Sequence, residues 1–141
     1  MRSLWNVGSF FRTCDAFAVE RLYLTGYTGH PPRREITKTA IGAEEWIPWE
    51  SHPSPVPILE ELKRDGWQIV SLELSDRSVN LLELNVAEKT CLVVGHELEG
   101  VPEGVLALSD VVTFVPMLGK KESLNVAVVA GVALHRLRFL P

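Results

Sequence analysis

The 141-residue chain has few cysteines, no excess of basic residues and no long hydrophobic run. Its two cysteines, Cys14 and Cys91, belong to no Cys-x-x-Cys pair, which argues against a disulfide scaffold, a zinc ribbon or a thioredoxin motif. The longest charge-free stretch, Ser123 to His135, is too short to span a bilayer. Because Arg12 and Asp15 interrupt the apolar N-terminus, no signal peptide is visible. We therefore expect a protein of the reducing cytoplasm that does not enter a membrane.

Charge and composition point to an ordinary globular protein. There are 14 Lys and Arg against 18 Asp and Glu, a net charge of −4, with 46% hydrophobic residues. The length suits one domain over residues 1–141. The acidic balance disfavours a nucleic-acid binder without excluding one, since binding needs only a local basic patch. The histidines show no metal-ligand spacing, so we expect no metal site; they are His30, His52, His96 and His135.

Short apolar runs alternate with helical patterns along the whole chain. We predict strands at residues 21–25, 67–73, 91–94 and 111–115, the last two covered on both faces. We predict helices at residues 7–18, 54–66, 102–109 and 123–137, and a loop at residues 26–34. This alternation is typical of an α/β domain with a mainly parallel sheet flanked by helices.

The two ends of the chain carry further expectations. The last predicted helix is apolar nearly all round, which indicates burial on more than one side and favours contact with a second subunit. At the other end, Asn6 is a plausible N-cap of the first helix. Only Met1 to Trp5 then remain for a first strand, so we expect that edge of the sheet to be short.

Three polar clusters stand beside apolar elements. They are Asn6-Val7-Gly8 with Arg12, the run Gly95 to Gly100 after a predicted strand, and the run Pro116 to Asn125. Ligands of open α/β sheets bind beyond the carboxyl ends of strands. Taken singly, the clusters also fit a capped helix with a solvated arginine and turns with solvated acids. We expect Ser123 to cap the last helix, and Asn125, without an evident capping role, to need another partner.

Together the clusters resemble the three motifs of the SpoU (TrmH) branch of SPOUT RNA methyltransferases. The first, Asn-x-Gly-x-x-x-Arg-Thr, is at residues 6–13, and the second, Gly-x-Glu-x-x-Gly, is at residues 95–100. The third is Pro-Met-x-Gly at residues 116–119 followed by Ser-Leu-Asn-Val at residues 123–126. The resemblance covers essentially the whole chain. We expect two departures from the family pattern: a nearly absent strand before the first motif, and no counterpart in these residues of the N-terminal RNA-binding domain that many members carry.

The resemblance implies a fold, an activity and partners. It implies an α/β sheet with a deep C-terminal trefoil knot and methyl transfer from S-adenosylmethionine to a ribose 2′-hydroxyl of tRNA or rRNA. It also implies a homodimer packed through the knot and the final helix, with Arg12 as a candidate to act across that interface. The RNA itself, the nucleotide and any helper protein are left open.

The resemblance assigns residues to these roles. The implied catalytic residues are Asn6, Arg12, Glu97, Ser123 and Asn125. The implied cofactor pocket consists of Leu72, Gly95, Glu97, Val115, Met117, Ser123 and Leu124, with Leu72-Glu73 completing its wall. Because a guanidinium does not readily lose a proton, we expect Arg12 to anchor a phosphate and stabilise the developing alkoxide rather than act as a base. The candidate RNA contacts are Arg12, Arg33, Arg34, Lys38, Lys120 and Lys121.

Three other functions fit the same residues. The cofactor pocket could serve methylation of a base, as in other SPOUT branches. The chain could be a non-catalytic RNA-binding or assembly module that keeps the fold. It could also be an unrelated α/β domain that binds another nucleotide, which calorimetry with S-adenosylmethionine would distinguish.

Overall fold

The computed structural model describes residues 1–140, which fold into two compact units, the N-terminal unit at residues 1–55 and the C-terminal unit from residue 56 onward. The helices are α1 (Leu4–Ala16), α2 (Arg34–Ala40), α3 (Val56–Arg64), α4 (Glu103–Leu108) and α5 (Val126–Phe139). The strands are β1 (Leu22–Thr25), β2 (Trp49–His52), β3 (Gln68–Leu72), β4 (Val79–Asn80), β5 (Thr90–Val93) and β6 (Val111–Phe114). Short 3-10 helices cover Ala43–Glu45 and Leu81–Glu83. Among residues 1–140, none of the helices combines the length and apolar character that a bilayer crossing needs.

The N-terminal unit packs two helices with a two-stranded parallel sheet. β1 and β2 pair in register from Leu22 opposite Trp49 to Thr25 opposite His52. α1 packs against α2 at Gly8, where an added Cβ would overlap the Thr39 hydroxyl and the Ile36 carbonyl. The close approach of the two helices therefore depends on the missing side chain at Gly8.

The C-terminal unit is a parallel sheet with helices on both faces. Its strand order is β4-β6-β3-β5, and every pairing is parallel. Consecutive residues of a strand face opposite sides. Ile69 accordingly joins a core cluster with Leu59 of α3 and Val105 of α4, and Val70 joins one with Ala133 of α5. The predicted α/β class with a parallel sheet and flanking helices is confirmed.

Several predicted elements need correction. α1 begins at Leu4 with Ser3 as its N-cap, so Asn6 lies inside the helix and residues 1–5 form no strand. The elements α2, β2 and β4 were not predicted. β5 is the last strand of its sheet, and its side chains pack on both faces as predicted: Cys91 and Val93 contact the cluster with α3 and α4, and Leu92 contacts the cluster with α5.

The last helix also differs from the prediction. Asn125, not Ser123, is its N-cap, and the Asn125 side-chain oxygen accepts hydrogen bonds from the amides of Ala127 (2.9 Å) and Val128 (3.3 Å). The prediction that Asn125 has no evident capping role is therefore wrong. Within the described chain α5 fully buries only Ala130 and Ala133, so its apolar circumference is covered on one side.

Candidate functional site

The candidate site of the C-terminal unit is the edge where its parallel strands end. Leu72 is the last residue of β3, Gly95 lies two residues beyond β5, and Val115 directly follows β6. β3 pairs with both other strands in parallel, so the three carboxyl ends share one edge. Such edges are the usual ligand sites of open α/β sheets. The structure therefore brings these three predicted pocket residues to one edge.

The turn after β5 is closed by backbone hydrogen bonds. The His96 amide donates to the Gly100 carbonyl (3.1 Å), and the Gly100 amide donates to the His96 carbonyl (2.9 Å). The ring nitrogen Nδ1 of His96 accepts from the amides of Leu98 (3.0 Å) and Glu99 (3.2 Å). Gly95 packs so closely on Gly100 that a Cβ at position 95 would overlap it. The predicted site residue Glu97 lies at the tip of this turn and is exposed.

Glu73 supports the turn from the neighbouring strand. One oxygen of its carboxylate, Oε2, accepts a hydrogen bond from the Val101 amide at 2.6 Å. The sequence placed Glu73 at the wall of the pocket but did not reveal this contact. The available signal was a carboxylate at the carboxyl end of a predicted strand.

The third motif lies between β6 and α5. Residues 116–124 belong to no helix or strand. Two of their apolar side chains are partly exposed, Met117 at 37% and Leu124 at 44%. Lys120, Lys121 and Ser123 are exposed. Ser123 does not cap α5, because Asn125 is the N-cap. This segment offers apolar surface together with backbone groups that no helix or strand uses.

The first motif lies on α1 in the N-terminal unit. The Asn6 amide donates to the Ser3 hydroxyl (3.2 Å) in the first helical turn, and Arg12 is exposed two turns later. On an α-helix these positions are separated by about 120° around the axis and about 9 Å along it. The prediction that Arg12 lies on a helix is confirmed, although α1 begins three residues earlier than predicted.

The predicted RNA contacts of the N-terminal unit gather at α2. Arg33 is its N-cap and Arg34 its first residue, and both side chains are exposed together with Lys38. The Lys38 ammonium lies 5.8 Å from the centre of the Trp5 ring, at the start of α1. The unit holds six basic and six acidic residues, so it carries none of the chain's net negative charge.

Neither cysteine is suited to act as a nucleophile. Burial raises the pKa of Cys14 to about 12 and that of Cys91 to about 11. The thiolate is the reactive form of cysteine, and it is scarce at neutral pH when the pKa is this high. Within residues 1–140 no three His, Cys, Asp or Glu side chains form a group that could hold a metal ion.

Comparisons with known proteins find that the chain is similar to several RNA methyltransferases. A tRNA (guanosine(18)-2′-O)-methyltransferase from Aquifex aeolicus is 38% identical over 131 residues, which are 92% of this chain and 61% of that protein. The crystal structure of the A. aeolicus TrmH/SpoU tRNA modifying enzyme matches with a TM-score of 0.88 and 34% identity, over 98% of this chain and 70% of that one. An AdoMet-bound rRNA methyltransferase from Sinorhizobium meliloti matches with a TM-score of 0.90 and 25% identity, over 99% and 54%.

The matches cover nearly all of this chain but only part of each relative. The chain spans about three fifths of the length of the curated relatives from A. aeolicus and Escherichia coli. The profile described as the SpoU rRNA Methylase family matches residues 1–135, nearly the whole chain, and includes all three motifs. The chain belongs to the SpoU rRNA methylase family.

Proposed function

We propose that the protein is an S-adenosylmethionine-dependent methyltransferase that acts on a ribose 2′-hydroxyl of tRNA or rRNA. The observation that carries this proposal is the edge at which Leu72, Gly95 and Val115 meet beside a closed glycine turn. The A. aeolicus relative, named for 2′-O-methylation of tRNA, supports the reaction, and the AdoMet-bound S. meliloti structure supports the cofactor.

The residues at this edge fit S-adenosylmethionine. Leu72 and Val115 are only partly buried, and with Met117 and Leu124 they offer apolar surface to an adenine ring. The backbone of residues 116–124 takes part in no helix or strand and can bond the edge of the base. Glu97 and Ser123, both exposed, are assigned to the polar parts of the ligand. We infer from the family resemblance that this C-terminal segment is threaded through a trefoil knot.

Arg12 supplies the charge that the reaction needs. S-adenosylmethionine, when bound, supplies a methyl carbon on a positively charged sulfur. The ribose oxygen forms a bond to that carbon as the carbon–sulfur bond breaks, and the hydroxyl proton leaves to an RNA phosphate oxygen. Arg12 anchors that phosphate and stabilises the negative charge developing on the ribose oxygen.

Two amide side chains are assigned to positioning. The Asn125 oxygen is fixed by the first amides of α5, so its side chain has one defined orientation beside the third motif. Asn6 lies in the first turn of α1, on the helix that carries Arg12. We assign both to orienting the ribose hydroxyl and Arg12. Holding the reacting groups in line contributes about 7–11 kcal/mol in favourable cases.

The RNA-binding surface of the N-terminal unit joins basic and aromatic side chains. Arg33, Arg34 and Lys38 are exposed at α2, and we assign them to phosphates, as we do Lys120 and Lys121 in the third motif. Tyr27 is fully exposed on the loop after β1, beside the positive-φ glycine Gly26. An exposed ring on a short turn is suited to stack on an unpaired base.

We propose that the protein works as a cytoplasmic homodimer packed through α5. Val128 is 53% exposed and Val132 is 43% exposed, and Phe139 continues the same stripe of the helix at 57%. A second copy of this chain would cover that stripe. Both cysteines are free, which agrees with a reducing compartment.

The test is methylation of RNA by the purified protein with S-adenosylmethionine. We expect 2′-O-methylated nucleotides, located by mass spectrometry in tRNA or rRNA from cells that lack the gene. Arg12→Ala should lower kcat at least 100-fold, typical for loss of a transition-state charge contact, and leave the Kd of S-adenosylmethionine within about twofold in calorimetry. Methyl groups found on a base would favour the base-methylation alternative. Cofactor binding without methylation of any RNA would favour a non-catalytic module.

A further inference from the structure

We propose that Glu73 is a positioning residue that holds the turn at residues 95–101 in the shape that binds S-adenosylmethionine. This inference rests on the proposed function. Its structural basis is one short hydrogen bond between two segments that are 28 residues apart in sequence, from the Val101 amide to Glu73 Oε2 at 2.6 Å.

The backbone of Glu73 is itself fixed in the sheet. Its amide donates to the Thr113 carbonyl of β6 at 2.9 Å, directly after β3 ends. The Thr113 hydroxyl in turn donates to the Val79 carbonyl of β4 at 2.9 Å. The Glu73 carboxylate therefore projects from a rigid point at the carboxyl edge.

The turn needs support at the point that Glu73 contacts. Val101 is 5% exposed and packs in the core with Ile69 and Val105, so its amide lies where the turn re-enters the interior. A hydrogen bond from an amide to a charged acceptor is stronger than one between neutral groups. The other hydrogen bonds described for the turn lie within it, between His96 and Gly100 and from the Leu98 and Glu99 amides to the His96 ring.

The glycines of the second motif fit around the same carboxylate. Gly100 has a φ of +72°, and a Cβ there would lie 2.5 Å from Glu73 Oε2. Gly95 packs on the other side, against the Gly100 carbonyl and the Val101 nitrogen. Both motif glycines therefore leave room for a contact that runs from Glu73 to Val101. A shift of this contact moves Gly95, which we assign to the cofactor pocket.

The test compares Glu73→Ala, Glu73→Gln and the exposed control Asp76→Ala. We expect Glu73→Ala to raise the Kd and KM of S-adenosylmethionine about tenfold, with kcat at saturating cofactor within about threefold. The Val101 amide should also exchange its hydrogen about tenfold faster. Glu73→Gln keeps a side-chain oxygen acceptor. It should restore the Kd, the KM and the amide exchange rate to within about threefold of wild type. Asp76→Ala should match wild type.

A double variant tests the contact with Gly100. Gly100→Ala should weaken cofactor binding, because it adds a clash with Glu73 and strain at a positive φ. In the Glu73→Ala background the clash is gone, so the two losses should combine to less than their product.

Several results would overturn this role. Unchanged cofactor affinity in Glu73→Ala would do so, as would a Glu73→Gln variant as weak as Glu73→Ala or independent effects in the double variant. These outcomes differ from failure of the proposed function, in which the wild-type chain itself binds no S-adenosylmethionine and both inferences are lost.

Discussion

Individual residues of the first motif serve two different purposes. Gly8 is buried between α1 and α2, and its missing side chain permits the helices to approach. Arg12, one turn later, is exposed and is available to a phosphate. The motif therefore combines a packing requirement with a charge, and only the charge takes part in the chemistry that we propose.

Gly8→Ala should lower the free energy of unfolding by about 1–3 kcal/mol, because the added Cβ overlaps the Ile36 carbonyl and the Thr39 hydroxyl. Urea denaturation measures the change. The matched control is Gly104→Ala in α4, where a Cβ meets nothing within 4 Å. That control should be neutral or more stable by up to about 1 kcal/mol, since alanine favours a helix. Equal losses in the two variants would contradict the packing role.

For individual residues, the sequence predicted which residues lie together at the site better than it predicted the hydrogen bonds that their side chains make. Leu72, Gly95 and Val115 reach one edge because the ends of parallel strands must do so. The Glu73 contact could not be predicted, since it depends on the shape of a distant turn. The role of Asn125 was misjudged because the helix begins three residues later than the apolar pattern suggested.

Among the elements, those with strong apolar patterns were predicted and those held by tertiary packing were not. β1, β3, β5 and β6 lie within one or two residues of their predicted bounds. β2 reads Trp-Glu-Ser-His and has no apolar alternation, and β4 is two residues long. α2 is seven residues long and contains two threonines, so its local helix propensity is weak and its packing on α1 supports it.

Asp110 joins β3 to the turn before β6 and makes stability depend on acid. Asp110 Oδ2 accepts from the Ile69 amide at 2.7 Å and Oδ1 accepts from Lys63 at 3.1 Å. The Ile69 hydrogen bond, followed by Lys63, holds the pKa of Asp110 below its usual value. Since the folded-state pKa is the lower one, this stabilisation is present above the usual aspartate pKa, about 4, and is lost as pH falls through the folded-state value.

Asp110→Asn should therefore flatten the loss of stability as the pH falls below about 5, at the expense of lower stability at neutral pH. Denaturant midpoints measured at steps across that range give the comparison. Lys63→Gln is the control, because it removes the weaker partner and keeps the Ile69 hydrogen bond. Its acid dependence should stay close to that of wild type, and an Asp110→Asn profile as steep as wild type would refute this assignment.

Across the whole molecule the charge is unevenly divided. The N-terminal unit is neutral, whereas Val56–Pro141 holds eight basic and twelve acidic residues. The net charge of −4 thus belongs to the C-terminal unit. The unit that carries the basic side chains near α2 therefore has no excess of acidic residues.

Replacement of Arg33 and Arg34 by glutamine should lower the slope of log K against log salt for RNA binding by about 1.5, because each lost phosphate contact removes about 0.7–0.9. Filter binding at several salt concentrations provides the slope. Replacement of the exposed Arg64 and Arg77 changes the net charge equally but in the acidic unit. The slope should then stay near that of wild type; if the two pairs behave alike, the α2 residues are not phosphate contacts.

The dimer proposal concerns the exposed side of α5. Val128→Glu and Val132→Glu each place a charge on the stripe that we assign to the interface, where burying an unpaired charge costs several kcal/mol. Sedimentation should show a dimer for wild type and a monomer for each variant. Leu82→Glu, at a 65% exposed position outside α5, is the control and should remain dimeric. A monomeric wild-type chain would exclude this assembly.

Because Gly8 is needed where α1 crosses α2, its presence in a related sequence depends on the fold and not on the reaction. A chain of this fold without the proposed activity would still gain stability from the glycine, but nothing in the fold would preserve the guanidinium four positions later. A related sequence that keeps the glycine and lacks the arginine is therefore expected to fold without catalysing the reaction. This protein has both Gly8 and Arg12.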